Sequence, residues 1–155
     1  WVAFSDSQVD NGCMRVMPGT HLHAQLPHKD TFAEGNLLTR GQEVQVDVDP
    51  SKAVDVLLQP GEMSLHHVLL VHGSDPNTSD RRRIGFAIRY VPAYVRQVAG
   101  PRDSAMLVRG EDRFGHFEHE PQPKVDMGEA ERATHRRITE EAARILYRGT
   151  GRAPV

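Results

Sequence analysis

The stretch of residues 61–90 constrains the fold of this chain more than any other part of the sequence. It opens with an apolar run rich in leucine and valine at 63–71, which is followed by turn-forming residues at 73–80. Residues 84–91 then alternate between large apolar side chains on one face and mostly small or polar side chains on the other. The pattern predicts two antiparallel strands joined by a polar loop, as the central hairpin of a fold with many short strands.

Two side chains with distinct chemistry stand at the two ends of this loop. His72 ends the first predicted strand and Arg83 begins the returning strand, so an antiparallel pair could direct both into one space. Imidazole is a common nitrogen ligand for iron and zinc. A guanidinium group can bind a carboxylate through two parallel hydrogen bonds. This combination is typical of an iron enzyme that uses an organic acid as co-substrate.

The residues from His72 to Arg83 read H-G-S-D-P-N-T-S-D-R-R-R. They resemble the C-terminal active-site motif of the phytanoyl-CoA dioxygenase family, whose members are non-haem oxygenases that depend on Fe(II) and 2-oxoglutarate. A second block, W-V-A-F at 1–4 with N-G-C-M-R-V-M-P-G-T-H at 11–21, resembles another segment of that family. The two blocks occur in the family's order, and the resemblance covers about residues 1–110.

The resemblance implies a fold and a set of site residues. The fold is mainly β: a partial double-stranded β-helix (jelly roll, cupin-like) with a C-terminal helix, in which residues 1–155 are a single domain forming the C-terminal part of an oxygenase. His72 is implied as the catalytic Fe(II) ligand. Arg83 is implied to bind the distal carboxylate of 2-oxoglutarate, and the Ser74 hydroxyl to help hold it. Each residue also has a simpler interpretation. His72 could be an ordinary histidine at the end of a strand, Arg83 a surface arginine of the triplet 81–83, and Ser74 a serine of the turn.

The family's other two metal ligands, an H-x-D pair, lie upstream of the tryptophan that Trp1 resembles. We therefore expect the chain to be truncated at its N-terminus and to have little activity alone. His28 and Asp30 do spell H-x-D, but they follow the P-G-T-H block, so a loop near the pocket mouth is the preferred reading.

The adjacent residues His66 and His67 face opposite sides if they lie on a strand. One of them should face the interior, and the sequence does not decide which. Asn77 and Ser79 are expected to shape the loop rather than to contact a ligand. His116 and His119 have a spacing that could suit zinc on a helix, although neighbouring prolines and the lack of cysteine partners weaken that interpretation.

Further secondary structure is predicted on both sides of the central stretch. One helix is expected at 126–147, with Asp126 as its cap and Glu129 three residues later. Residues 20–41 are expected to form an irregular lid or wall, and residues 111–124 a loop. Short strands are predicted at 1–5, 13–17, 43–48 and 53–58. The family resemblance implies that the first two pair with each other.

Composition limits the partners that this chain can have. Hydrophobic residues make up 38% and charged residues 26%, which is typical of a globular protein. The net charge of −2 argues against nucleic acid or an anionic membrane as a partner. The single cysteine, Cys13, excludes an internal disulfide and fits a reducing compartment, so a cytoplasmic location is predicted. No apolar run approaches the ~18 residues of a membrane span.

The leading hypothesis is therefore an oxygenase that hydroxylates a C–H bond of a small organic substrate. Halogenation, the identity of the substrate and self-association as a homo-oligomer stay open. A non-catalytic jelly-roll module that binds a ligand is the alternative. A cupin-like zinc hydrolase is disfavoured because no three-ligand set can be assembled from the motifs.

Overall fold

The computed structural model describes residues 1–33, 40–100 and 102–152. The described chain is made mainly of short strands and has one α-helix near its C-terminal end. It divides into two compact units, Trp1–Arg89 and Tyr90–Val155.

Seven short strands in the first unit form three small antiparallel sheets within the described residues. The strands are β1 (Val2–Ala3), β2 (Met14–Val16), β3 (His28–Asp30), β4 (Gln42–Val44), β5 (Val54–Val56), β6 (His72–Ser74) and β7 (Gly85–Phe86). The largest of these sheets has three strands in the order β5-β2-β6, and the other two pair β1 with β7 and β3 with β4.

The three-stranded sheet is held together by an arginine on its central strand. Arg15 lies opposite Asp55 on one side and Gly73 on the other. Its Nε atom is 2.9 Å from Asp55 Oδ1, and its Nη1 atom is 3.3 Å from Asp75 Oδ2. Because Asp75 directly follows β6, these contacts tie both outer strands to β2 and so fix the position of β6.

The predicted central hairpin is wrong. The strand expected at 63–71 is replaced by a turn, in which the Leu70 amide donates to the His67 carbonyl oxygen (3.0 Å), and β6 begins only at His72. Strand β6 pairs with β2, whereas β7, which is shorter than the predicted 84–91, pairs with β1. The loop after β6 therefore connects two different sheets instead of closing a hairpin.

The expected pairing of the strands predicted at 1–5 and 13–17 is also wrong, although both strands exist in shorter form. The turn between them is closed by buried Asn11, whose Oδ1 accepts from the Gln8 amide (2.8 Å). Gly12 has φ +75°, and a Cβ atom there would overlap the carbonyl oxygen of Asp75. The turn thus packs against the loop after β6, which a two-stranded hairpin would not require.

Two other predicted strands are confirmed with shorter limits, since 43–48 corresponds to β4 and 53–58 to β5. The segment predicted to be irregular, 20–41, contains a short 3₁₀ turn at Thr20–Leu22 and strand β3. Its residues 34–39 lie outside the described part of the chain.

The second unit combines a parallel strand pair with the helix. Strands β8 (Ser104–Ala105) and β9 (Glu118–His119) pair in parallel, so the loop predicted at 111–124 contains a strand. Helix α1 (Glu129–Leu146) is joined to β9 by Arg137, whose Nη2 donates to Glu118 Oε1 (2.7 Å). Tyr147, which follows the helix, is buried.

The helix is confirmed, but its predicted cap is wrong. Gly128 occupies the cap position and no side chain caps the helix there. Glu131 secures the first turn instead, because its Oε1 accepts from the Lys124 amide (3.1 Å), and this hydrogen bond lowers the pKa of Glu131.

Among the described helices none is both long enough and apolar enough to cross a membrane.

The second unit should lose stability in acid through Asp112. The amides of Gly115 and Phe114 and the His119 ring lower its pKa from 3.8 to about 2, with the Gly115 amide as the largest cause. Because the pKa of Asp112 is lower in the folded chain than its ordinary value of 3.8, the ionised carboxylate stabilises the fold at pH values above 3.8. This stabilisation is lost as the pH falls through about 2. We expect Asp112→Asn to flatten the dependence of Tm on pH between about pH 2 and pH 5, measured by circular dichroism.

Glu111→Gln is the matched control, because Glu111 pairs only with its near neighbour Arg113 at the surface (3.0 Å). Equal slopes of Tm against pH in the wild-type protein and Asp112→Asn would contradict the role given to Asp112.

Candidate metal and carboxylate site

His72 is placed at the start of β6 by the segment that carries the P-G-T-H sequence. Its backbone lies opposite Val16 of β2. The residue before it, Val71, donates its amide hydrogen to Thr20 Oγ1 (2.9 Å) and accepts from the Met17 amide (2.9 Å). The Thr20 hydroxyl therefore fixes the chain next to His72. Sequence reasoning did not assign this role to Thr20, although its place in the P-G-T-H block marked the segment.

The hydrogen bond of the His72 ring leaves one nitrogen available. Nδ1 lies 2.7 Å from the carbonyl oxygen of Leu70. A carbonyl oxygen can only accept, so Nδ1 carries the proton and the lone pair is on Nε2. A neutral imidazole oriented through one nitrogen by a backbone carbonyl is the usual state of a metal-binding histidine. The side chain is exposed, so an ion can reach it.

His66 is the histidine of the adjacent pair that lies beside His72. The ring centroids of His66 and His72 are 5.7 Å apart, whereas the His67 ring lies 6.0 Å from that of His21. Partial desolvation and the neighbouring His72 lower the pKa of His66. Both His66 and His67 are exposed, so the expectation that one of them faces the interior is wrong.

Ser74 lies on the same face of β6 as His72, because alternate residues of a strand face the same side. It is exposed and lies opposite Met14 of β2. Within the described residues its hydroxyl has no hydrogen-bond partner. It is therefore available to a ligand held near His72.

Arg83 differs from its neighbour Arg81. Arg81 forms an ion pair with Asp10 (2.6 Å) at the surface. Arg83 is half-buried and its Cζ lies 5.5 Å from the centroid of the Trp1 ring, a cation–π contact. Its guanidinium has no carboxylate partner in the part of the chain that the structure describes. An oriented and unpaired guanidinium of this kind can bind an acid.

Trp1 contacts both the segment that precedes His66 and the Arg83 side chain. Its backbone exchanges two hydrogen bonds with Ser64, at 2.8 and 2.9 Å, two residues before His66. Its indole ring lies over Gly85, where a Cβ atom would overlap the ring, and against Arg83. Trp1 therefore links the segment of His66 to the guanidinium, a role that its place in the first motif did not reveal.

Gly85→Ala should displace this indole. Overpacking of this kind costs roughly 1–3 kcal/mol, so we expect a lower Tm. Trp1 is the only tryptophan of the chain, so its fluorescence emission should shift toward that of a solvent-exposed indole. Gly73→Ala is the control, because a Cβ atom at Gly73 meets nothing within 4 Å. Unchanged emission in Gly85→Ala would contradict the packing of Trp1.

His28 and Asp30 lie on β3 and not in a loop, contrary to the prediction. His28 Nδ1 lies 2.7 Å from the Leu26 carbonyl oxygen, the same arrangement as at His72, so this bond does not distinguish the two rings. Asp30 pairs with Arg40, whose Nε donates at 3.1 Å. The described residues contain no group of three or more histidine, cysteine, aspartate or glutamate side chains that could hold a metal ion.

The loop after β6 is shaped by its own polar residues, as predicted. Asn77 Nδ2 donates to the Arg81 carbonyl oxygen (2.7 Å), and Asn77 Oδ1 accepts from the amide and the hydroxyl of Ser79 (2.9 and 2.8 Å).

In the second unit, His119 Nε2 pairs with Asp112 (3.0 Å), and the His116 ring lies against Phe114. His119 lies on β9 and not on a helix, so the helical spacing that a zinc pair would need is not formed.

His72 presents an open ring nitrogen at the start of β6, and Trp1 lies against the Arg83 guanidinium. The family model described as "Phytanoyl-CoA dioxygenase (PhyH)" matches residues 1–85. The chain belongs to this family, as its two motifs predicted.

The relatives agree with this assignment. The chain is 33% identical over 91 residues to a probable phytanoyl-CoA dioxygenase of Caenorhabditis elegans, and the aligned region covers 58% of this chain and 29% of that protein. It is 31% identical over 94 residues to the peroxisomal phytanoyl-CoA dioxygenase of Homo sapiens, and that alignment covers 60% of this chain and 28% of the human protein. The chain thus spans less than a third of the length of these relatives.

Two solved structures of the non-heme monooxygenase ThoJ are similar over nearly the whole chain. The apo form is 40% identical with a TM-score of 0.81, covering 98% of this chain and 54% of that chain. The nickel complex is 34% identical with a TM-score of 0.73, covering 94% and 49%. The similarity therefore includes the second unit, which the family model does not reach.

Proposed function

We propose that the complete gene product containing this chain is an Fe(II)- and 2-oxoglutarate-dependent dioxygenase that hydroxylates a C–H bond of a small organic substrate. One observation carries the proposal. At the first residue of the family motif that runs from His72 to Arg83, the Leu70 carbonyl oxygen holds the His72 ring in the tautomer that leaves Nε2 open. The nickel complex of ThoJ supports metal binding in a similar fold.

The residues of this chain have separate roles in that proposal. His72 would bind the metal through Nε2. Arg83, oriented by Trp1, would bind the distal carboxylate of 2-oxoglutarate through parallel hydrogen bonds, and the Ser74 hydroxyl would donate to the same carboxylate. Bound iron supplies the activation of dioxygen. The protein residues hold the reactants in a fixed geometry, which lowers the entropic part of the barrier.

The proposal extends to the architecture and the setting. The short sheets of the first unit would be part of a double-stranded β-helix, and residues 1–155 part of one oxygenase domain. The partner would be a small organic molecule, with no nucleic acid and no membrane involved. We place the protein in the cytoplasm, as its composition predicted, although the human relative is peroxisomal by name.

The test is succinate release by the complete gene product with Fe(II), 2-oxoglutarate and dioxygen, with and without candidate substrates. We expect slow release that needs both the metal and the keto acid. Release that is independent of Fe(II) would contradict the proposal. Binding of 2-oxoglutarate without any turnover would support the alternative, a non-catalytic module that binds a ligand.

A further inference from the structure

The small sheet formed by β1 and β7 has two very different faces. On one face Ala3 is completely buried, and the Trp1 ring lies over Gly85. Successive residues of a strand point to opposite faces, so Val2 and Phe4 point to the other side of the sheet. We call this second side the outer face.

Four apolar side chains lie together on the outer face. Val2 lies directly opposite Phe86 of β7 and, on its other side, opposite Met63. Residues that lie opposite each other in an antiparallel pair share a face. The rings of Phe4 and Phe86 are stacked with their centroids 6.4 Å apart. The outer face is therefore a continuous apolar surface made by Val2, Phe4, Met63 and Phe86.

This surface is open to solvent. Phe4 and Met63 are each 61% exposed, and Phe86 is 56% exposed. The solvent side of an antiparallel sheet normally carries polar side chains, because apolar area is more stable when it is removed from water. Single exposed apolar residues are ordinary on protein surfaces, but a contiguous set of large ones marks a contact surface.

The length of a similar protein and the character of the surface indicate what covers the outer face. The match with the ThoJ apo structure covers 98% of this chain but 54% of the ThoJ chain, so nearly half of that chain lies outside the shared region. None of the four side chains on the outer face is charged. Such a surface is typical of a permanent contact, since transient interfaces are more polar.

We propose that the outer face of β1 and β7 packs against an amphipathic segment of the complete gene product that lies outside these 155 residues. This segment directs apolar side chains toward Phe4, Met63 and Phe86 and polar side chains toward solvent. The contact extends the apolar core of the first unit. It needs neither a metal nor 2-oxoglutarate, so it is independent of the proposed function.

The test is oxidation of Met63 by dilute hydrogen peroxide, followed by peptide mass spectrometry, in the 155-residue chain and in the complete gene product. The rate at which a thioether is oxidised depends on its exposure. Met127 of the second unit is 77% exposed and serves as the reference. We expect Met63 to be oxidised as fast as Met127 in the 155-residue chain, and at least about tenfold more slowly than Met127 in the complete gene product.

Equal oxidation rates of Met63 in the two proteins would overturn the proposal. Protection of Met63 that grows with the concentration of the 155-residue chain would assign the outer face to a second copy, and would also overturn it. Far-UV circular dichroism checks that the 155-residue chain is folded. If it is not, the ratio of the Met63 and Met127 rates in the complete gene product decides.

Phe86→Ser provides a second measurement. We expect Tm to fall by more than about 5 °C in the complete gene product, because a buried ring is lost, and to stay within about 2 °C of the wild-type value in the 155-residue chain. Val9→Ser is the matched control, because Val9 is 59% exposed but is not part of the outer face. The same loss of Tm in both proteins, or in Val9→Ser, would contradict a cover over Phe86.

Discussion

Replacing His72 with alanine in the complete gene product should lower iron-dependent succinate release by more than about a hundredfold, since loss of outer-shell partners of metal ligands alone costs roughly 10–100-fold. The surroundings of His72 orient its ring. Its Nε2 is directed by the Leu70 carbonyl oxygen, and its backbone is fixed between β2 and the Thr20 hydroxyl. The measurement is succinate release at saturating 2-oxoglutarate, together with the iron content of the purified variant.

His67→Ala is the control for this experiment, because His67 lies in the other imidazole pair and its Nδ1 is occupied by the Leu69 amide. It should retain iron and turnover. A His72→Ala variant that keeps wild-type iron content would show that the metal is held elsewhere, and the proposed function would then lose its central residue.

Arg83→Gln should raise the KM for 2-oxoglutarate by about 10–100-fold, because a hydrogen bond to a charged group contributes roughly 1.5–3 kcal/mol. The Arg83 guanidinium lies against the Trp1 ring and has no carboxylate partner within the described chain, so its donors are free for the keto acid. Arg83→Lys should recover only part of the affinity, because an ammonium group cannot form two parallel hydrogen bonds with one carboxylate.

Arg82→Gln is the neighbouring control, since its side chain is exposed and only its backbone carbonyl oxygen accepts a bond, from Ser5 Oγ (3.0 Å). The discriminating readout is the KM for 2-oxoglutarate measured beside the KM for a second substrate. Equal changes in both would indicate a general structural effect and would contradict a specific carboxylate contact.

Local patterns predicted the features that depend on near neighbours in sequence. The helix lies within three residues of its predicted start and one residue of its predicted end, because helical hydrogen bonds join residues four apart. Asn77 and Ser79 shape their loop as expected, again through contacts over a few residues. The motif from His72 to Arg83 also identified the family from local sequence alone, because its residues follow one another along the chain.

Partners distant in sequence could not be predicted in the same way. Alternation of apolar residues tells which face of a strand is covered, but any strand can pair with any other through its backbone. The chain therefore gave no sign that β6 pairs with β2, or that β7 pairs with β1. The hairpin was predicted because it was the nearest available pairing.

The sequence by itself determined the family, the single late helix, the short strands and the candidate side chains His72, Ser74 and Arg83. Only the tertiary structure decided which histidine stands beside His72, which nitrogen of each ring is free, and what orients Arg83. The physical reason is that the tautomer of an imidazole and the contacts of a guanidinium are set by backbone and ring atoms that folding brings together. Those atoms include the Leu70 carbonyl oxygen, the Leu69 amide and the Trp1 indole.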